Sequence, residues 1–261
     1  MTLLLVAVAA FFAAAINSVA GGGTFLTFPT LTDGVGLSTK VANMTSTIGL
    51  WPGSASSIYA AKKDFRRIPH SILIAYSVIS VVGGVAGAVL LRYRTSPETF
   101  RLIIPWLLLF ATLVFAASKP IAKWAGAKHG HRTVGWTFIV GMIQLIVAIY
   151  GGYFGAGIGV LMLAGLSFAG LDDIYQMNAL KVLLATLING VAAMIFLIGS
   201  INSDAANAVD WQVAGAMAIA ATAGGFLGMA VARRIPALAL RAVILLVGSG
   251  LTVLYFVRAY A

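Results

Sequence analysis

The chain of 261 residues is 61% hydrophobic and only 9% charged, and its mean hydropathy is +1.00. A soluble domain carries roughly a quarter charged residues, so this composition excludes a soluble enzyme and indicates an integral membrane protein. The net charge of +10 comes from short basic clusters between long apolar runs, a pattern that is typical of membrane-protein loops and argues against nucleic acid as a partner.

Eight hydrophobic segments follow one another along the chain, and a transmembrane helix needs about 20 such residues. No segment shows the short alternating strands of an outer-membrane barrel, so the sequence predicts an all-α integral membrane fold with a single polytopic domain, 1–261. The segments span residues 3–31, 41–61, 68–91, 100–118, 134–169, 174–199, 211–232 and 236–257.

The first and fifth segments are unusually long, and glycines interrupt both. As one straight helix, segment 134–169 would measure about 54 Å, whereas the hydrocarbon core is about 30 Å thick. Transporters use such helix breaks to point free N–H groups at an anion, although close helix packing through small residues is an alternative reading. The substrate-binding residues predicted from these breaks are Gly21, Gly22, Gly23, Thr24, Gly155 and Gly157.

The second and sixth segments carry polar residues that would coordinate an oxyanion by hydrogen bonds. Asn43, Thr45, Ser46 and Thr47 form such a patch in the second segment, and the first three are selected as substrate-binding residues. Asn178 and Lys181 share one helix face in the sixth segment. Interhelical hydrogen bonds are the alternative for the uncharged side chains. Lys181 lies inside an apolar stretch, where a cation is usually paired or functional; the alternative is that it snorkels to the interface.

Several landmarks recur in the same order in the two halves of the chain. Asn43 follows the first glycine cluster as Asn178 follows the second, and Gly-Gly-x-x-Gly at 83–87 recurs at 224–228. We therefore predict two homologous halves of four hydrophobic segments, with repeat one at 1–118 and repeat two at 134–261.

Two topologies are open for these halves. If all eight segments cross the membrane, one side carries nine loop Lys and Arg residues and the other six. If the first and fifth segments are re-entrant hairpins, the halves are inverted repeats and the split becomes eleven to four. The positive-inside rule favours the inverted model, which places both ends of the chain outside.

The sequence resembles the TauE/SafE family of membrane permeases, also called the sulfite exporter or toluene-sulfonate uptake family. The resemblance rests on AGGGTFLTFP at 20–29, GGYFGAG at 151–157, NALK at 178–181 and the repeated Gly-Gly-x-x-Gly motifs. It implies transport of small anions, often sulfur oxyanions or sulfonates, across the bacterial inner membrane. The second half departs from the first at two points. Its glycine motif is Gly-Ala-Gly rather than Gly-Gly-Gly, and Leu163 stands where Pro29 stands in the first half.

These observations predict a multi-pass secondary transporter of a small anion, with sulfite or an organosulfonate as the leading substrate. An anion channel of the same fold and a non-transporting membrane scaffold are the alternatives. An enzyme is not expected, because no buried acid–base pair can be placed at membrane depth. No cofactor is expected, since the chain has no P-loop, and no metal site, since His129 and His131 have too few further ligands nearby. The predicted partners are the anion and the lipid bilayer.

Overall fold

A computed structural model shows the chain as a bundle of α-helices. It describes residues 2–19, 21–66, 68–126, 134–168, 173–201, 208–232 and 237–260. The histidines of the 119–132 loop and part of the basic loop clusters lie outside these ranges, namely Arg67, Lys128, His129, His131, Arg132, Arg233 and Arg234.

The described residues form ten α-helices and no β-strand, which confirms the all-α prediction. Two of the helices continue into a π-helical turn: α2 into Thr30–Gly34 and α4 into Leu90–Arg94. The helices are α1 (Thr2–Val19), α2 (Thr24–Pro29), α3 (Thr39–Phe65), α4 (His70–Val89), α5 (Pro97–Gly126), α6 (Val134–Tyr153), α7 (Ile158–Leu166), α8 (Ile174–Ile201), α9 (Trp211–Ala232) and α10 (Ala237–Tyr260).

The outer surface of the bundle is apolar. Ile219 is 79% exposed and Leu246 is 74% exposed, as expected for side chains that face lipid rather than water. Within the described residues, four helical stretches are long and apolar enough to cross a membrane, and two further apolar helices, Thr2–Ser18 and Phe138–Tyr153, are shorter. The four are His70–Arg94, Pro97–Ser118, Tyr175–Ile201 and Arg241–Tyr260.

The first and fifth hydrophobic segments each fold back as a helical hairpin. α1 and α2 are separated at Gly21–Gly23, and Gly34 at the end of the second arm lies beside Leu5 near the start of the first. α6 and α7 are separated in the same way, with Gly165 of the second arm beside Ile143 of the first. The first hairpin therefore ends at about the level at which it begins, and the second arm of the other hairpin folds back to the middle of α6.

Hydrogen bonds along neighbouring helices fix the directions of the central helices. Thr45 Oγ accepts the Asp210 N–H at 3.2 Å, and Ser57 Oγ donates to the Gly225 carbonyl at 3.2 Å, so α3 and α9 run in the same direction. α4 and α8 also run in the same direction, because Gly84 packs against Ile188 and Arg92 donates to the Gly199 carbonyl.

α3 and α4 run in opposite directions, since Lys40 near the start of α3 donates to the Thr95 carbonyl just beyond the end of α4. It follows that α3 and α8 are antiparallel. They cross where Trp51 Nε1 donates to the Thr186 carbonyl at 3.2 Å.

α5 and α10 also pack antiparallel. Trp106 Nε1 donates to Tyr260 Oη at 3.0 Å, and Arg241 donates to Ser118 Oγ at 3.0 Å. The start of one helix thus lies beside the end of the other.

Candidate functional site

The two glycine breaks meet in the middle of the bundle. A methyl group added to Gly21 would lie 2.4 Å from Cα of Gly159, and one added to Gly159 would lie 2.6 Å from Cα of Gly21. Gly21, Gly155 and Gly157 have φ values of +74°, +77° and +74°, a region that glycine adopts at little cost. The breaks are therefore required both for the local turns and for the contact between the hairpins.

A small cavity opens at this junction. Its volume of about 30 Å³ has room for about two water molecules. Five elements contribute to its wall, since residues of both hairpins and of the crossing helices α3 and α8 take part. The lining residues are Asn17, Ser18, Gly21, Thr24, Thr47, Leu50, Ser54, Ser57, Gly155, Ile158, Gly159, Lys181, Val182, Ala185 and Asn189.

Most of the wall is built from equivalent positions in the two halves of the chain. Two pairs of lining residues are 134 positions apart, Gly21 with Gly155 and Thr24 with Ile158. Three further pairs are 135 positions apart, Thr47 with Val182, Leu50 with Ala185 and Ser54 with Asn189. The cavity thus lies between matching surfaces of α3 and α8.

Lys181 supplies the positive charge of this cavity. Its side chain is only 1% exposed, and its Nζ donates to the Asn17 carbonyl at 3.2 Å, at the end of α1. No Asp or Glu occurs among the described residues that line the cavity. A buried cation in a wall of hydroxyl and amide groups favours an anionic ligand, because an anion offsets the cost of removing the ammonium from water.

Asn17 stabilises the first helix break and holds Lys181. Its Oδ1 accepts the Gly23 N–H at 2.7 Å, while its carbonyl accepts the Lys181 ammonium. Asn17 could not be predicted from the sequence, because a single polar residue near the end of an apolar run carries no clear signal.

Ser18, Ser54, Ser57 and Asn189 also line the cavity and were not predicted from the sequence, whereas Thr47 was named in the polar patch of the second segment but was not among the residues selected as substrate-binding. Two signals were available. Ser54 and Asn189 are separated by 135 positions, as are Asn43 and Asn178, and the polar residues of α3 recur at helical spacing along one face.

Four of the eleven residues predicted to bind substrate line the cavity, namely Gly21, Thr24, Gly155 and Lys181. Seven lie outside its wall: Gly22, Gly23, Asn43, Thr45, Ser46, Gly157 and Asn178. Thr45 bonds to the start of α9, Ser46 shares a 2.7 Å hydrogen bond with Thr27, and Asn43 donates to the Tyr153 carbonyl at 3.0 Å. In this conformation these three side chains make hydrogen bonds between separate helices or segments.

Comparisons with known proteins agree with the membrane architecture. A family model described as sulfite exporter TauE/SafE matches residues 6–255. A curated relative from Sinorhizobium sp, named probable membrane transporter protein ORF9, is 27% identical over 158 residues, which cover 60% of this chain and 58% of the relative. The match thus spans little more than half of that protein. No solved structure matches the chain.

Proposed function

Because the chain belongs to the sulfite exporter TauE/SafE family, we propose that this multi-pass membrane protein is a secondary transporter of a small anion in the bacterial inner membrane. The observation that carries the proposal is the buried Lys181 in a cavity between two broken helices, with no carboxylate among the described lining residues. Sulfite or an organosulfonate is the proposed substrate. The small volume of the cavity favours the smaller of these anions.

The cavity wall suits an oxyanion with several acceptor oxygens. Lys181 provides an ammonium and Asn189 an amide donor, and Thr24, Ser54 and Ser57 add hydroxyl groups, of which the Ser57 hydroxyl donates to the Gly225 carbonyl in this conformation. Hydrogen bonds from a charged donor are roughly twice as strong as those between neutral groups, so Lys181 is expected to dominate the affinity, and the hydroxyls and the amide to select the shape of the anion.

We also propose that the two halves are inverted repeats with re-entrant first and fifth segments. Three features support this arrangement: the equivalent helices α3 and α8 are antiparallel, the equivalent helices α5 and α10 are antiparallel, and both glycine-broken segments fold back as hairpins.

The inverted arrangement predicts that α1 begins and α10 ends on the outer face. The ion pair between Asp33 and Arg258 joins the end of the first hairpin to the end of α10, on one face of the bundle. Alkaline phosphatase fused after Ala261 is therefore expected to be active in a bacterial host, and a fluorescent protein fused at the same position to stay dark. Bright fluorescence would contradict the proposed orientation.

Anion binding can be tested by ligand-dependent thermal stabilisation of the purified protein. A ligand present at a hundred times its dissociation constant stabilises the folded state by about 2.7 kcal/mol. Sodium sulfite, sulfate, methanesulfonate and benzenesulfonate are compared at constant sodium, with chloride as the reference. We expect sulfite or methanesulfonate to raise the melting temperature. The proposal is wrong if no anion stabilises the wild type, or if Lys181→Gln is stabilised equally well.

The alternative to a carrier is an anion channel. Counterflow of labelled anion in proteoliposomes distinguishes a carrier from a channel, because a carrier exchanges internal for external anion and saturates, whereas an open channel does neither. The two broken helices that close around a small cavity favour the carrier.

A further inference from the structure

The cavity is not centred on the crossing of α3 and α8. Ten of its lining residues form the five pairs described above, but five lining residues have equivalents that do not line it. The unmatched residues are Asn17, Ser18, Ser57, Gly159 and Lys181. At the same spacing of 134 or 135 positions, their equivalents are Gly151, Gly152, Ala192, Phe25 and Ser46.

The unmatched residues of the two central helices lie on the same side of the crossing. Ser57 is six residues beyond Trp51, or about 9 Å toward the end of α3. Lys181 is five residues before Thr186, or about 7.5 Å toward the start of α8. Since α3 and α8 are antiparallel, both displacements point to the face that carries the 61–67 loop. The cavity therefore extends toward that face.

The equivalent positions on the other side of the crossing, Ala192 and Ser46, do not line the cavity in this conformation. Ser46, the equivalent of Lys181, shares a hydrogen bond with Thr27 instead. The two sides differ in charge, because Lys181 has an ammonium group where its equivalent, Ser46, has a hydroxyl group.

We propose that the cavity shifts across the crossing when the two halves exchange conformations, so that the site is cationic toward the 61–67 face and neutral toward the opposite face. In the second conformation, Ser46 and Ala192 line the cavity, and Lys181 and Ser57 are withdrawn into helix packing. Lys181 therefore determines the affinity on one side of the membrane only. The affinity statement rests on the proposed anion transport, and the shift of the cavity rests only on the proposed inverted repeats.

Cysteine labelling tests the shift directly, because the chain contains no cysteine of its own. Ser57→Cys, Ser46→Cys and Ala192→Cys are each reconstituted, and a membrane-impermeant thiol reagent is applied to one face at a time. Lys63→Cys marks the 61–67 face and Glu98→Cys the opposite face, since both positions are exposed. We expect Ser57→Cys to react from the Lys63 face, and Ser46→Cys and Ala192→Cys to react from the Glu98 face.

Two labelling results would overturn the shift: reaction of Ser46→Cys and Ala192→Cys from neither face, or reaction of all three cysteines from the same face. Because Ser46→Cys is nearly isosteric, it keeps the test valid if Ala192→Cys does not fold. The labelling pattern is independent of the substrate, so the shift can hold even if the anion proposal fails.

The charge difference is tested by measuring apparent anion affinity from each face in proteoliposomes, with sulfite as the probe. Lys181→Gln is expected to raise the half-saturating sulfite concentration about a hundredfold or more from the Lys63 face, and to leave it unchanged from the Glu98 face. Equal losses from both faces would show that Lys181 stays in the site throughout, which contradicts the alternation.

Discussion

Lys181→Gln is expected to weaken binding of the transported anion about a hundredfold or more. Breaking a buried ion pair by removal of one partner costs about 3–5 kcal/mol, and a tenfold change in affinity corresponds to about 1.4 kcal/mol. A cost of this size is expected because the Lys181 side chain is 1% exposed and no carboxylate occurs among the described residues of the cavity wall. The measurement is anion binding to purified protein, by calorimetry or thermal shift.

Two further variants separate charge from structure in this experiment. Lys181→Arg keeps the charge but loses the compact ammonium, so it is expected to retain part of the affinity. Lys63→Gln removes one positive charge from the exposed end of α3 and is expected to bind as the wild type does. Wild-type affinity in Lys181→Gln, with normal expression, would remove Lys181 from the site.

Gly21→Ala is expected to abolish transport and to lower the thermal stability, whereas Gly22→Ala is expected to be tolerated. Gly21 has φ +74°, and an added methyl group would lie 2.4 Å from Cα of Gly159. The left-handed conformation costs a non-glycine residue about 1–2 kcal/mol, and overpacking adds about 1–3 kcal/mol. A methyl group added to Gly22 would have its nearest neighbour 3.4 Å away, on the Ile244 side chain, which is an ordinary van der Waals contact. Gly22→Ala is therefore the control, because it adds the same methyl group at an adjacent glycine without a clash.

Transport in proteoliposomes and the melting temperature are measured together on both variants. If Gly21→Ala transports normally, the contact between the two helix breaks is not needed for function. If Gly22→Ala loses as much transport and thermal stability as Gly21→Ala, the contact with Gly159 is not the reason that Gly21 is needed.

The sequence determined the architecture, because composition and segment length act locally along the chain. Apolar runs of about 20 residues can only be helices in a membrane, and glycines within a run that is too long for the bilayer mark where a helix must end. The same local reasoning predicted breaks near Gly21 and Gly155, where the structure has them. It also singled out Lys181, since a cation within an apolar helix is costly wherever the helix packs.

Only the tertiary structure decided which polar side chains reach the cavity. Ser46 and Thr47 are neighbours in α3, yet Thr47 lines the cavity while Ser46 turns to Thr27. Successive helical residues point about 100° apart, so the face that meets the site depends on how α3 packs against α2 and α8. The contact between α3 and α8 joins residues more than 100 positions apart, such as Trp51 and Thr186, and no local pattern specifies it. The role of Asn17 also depends on tertiary structure, because it arises from a contact with Lys181 in the other half of the chain.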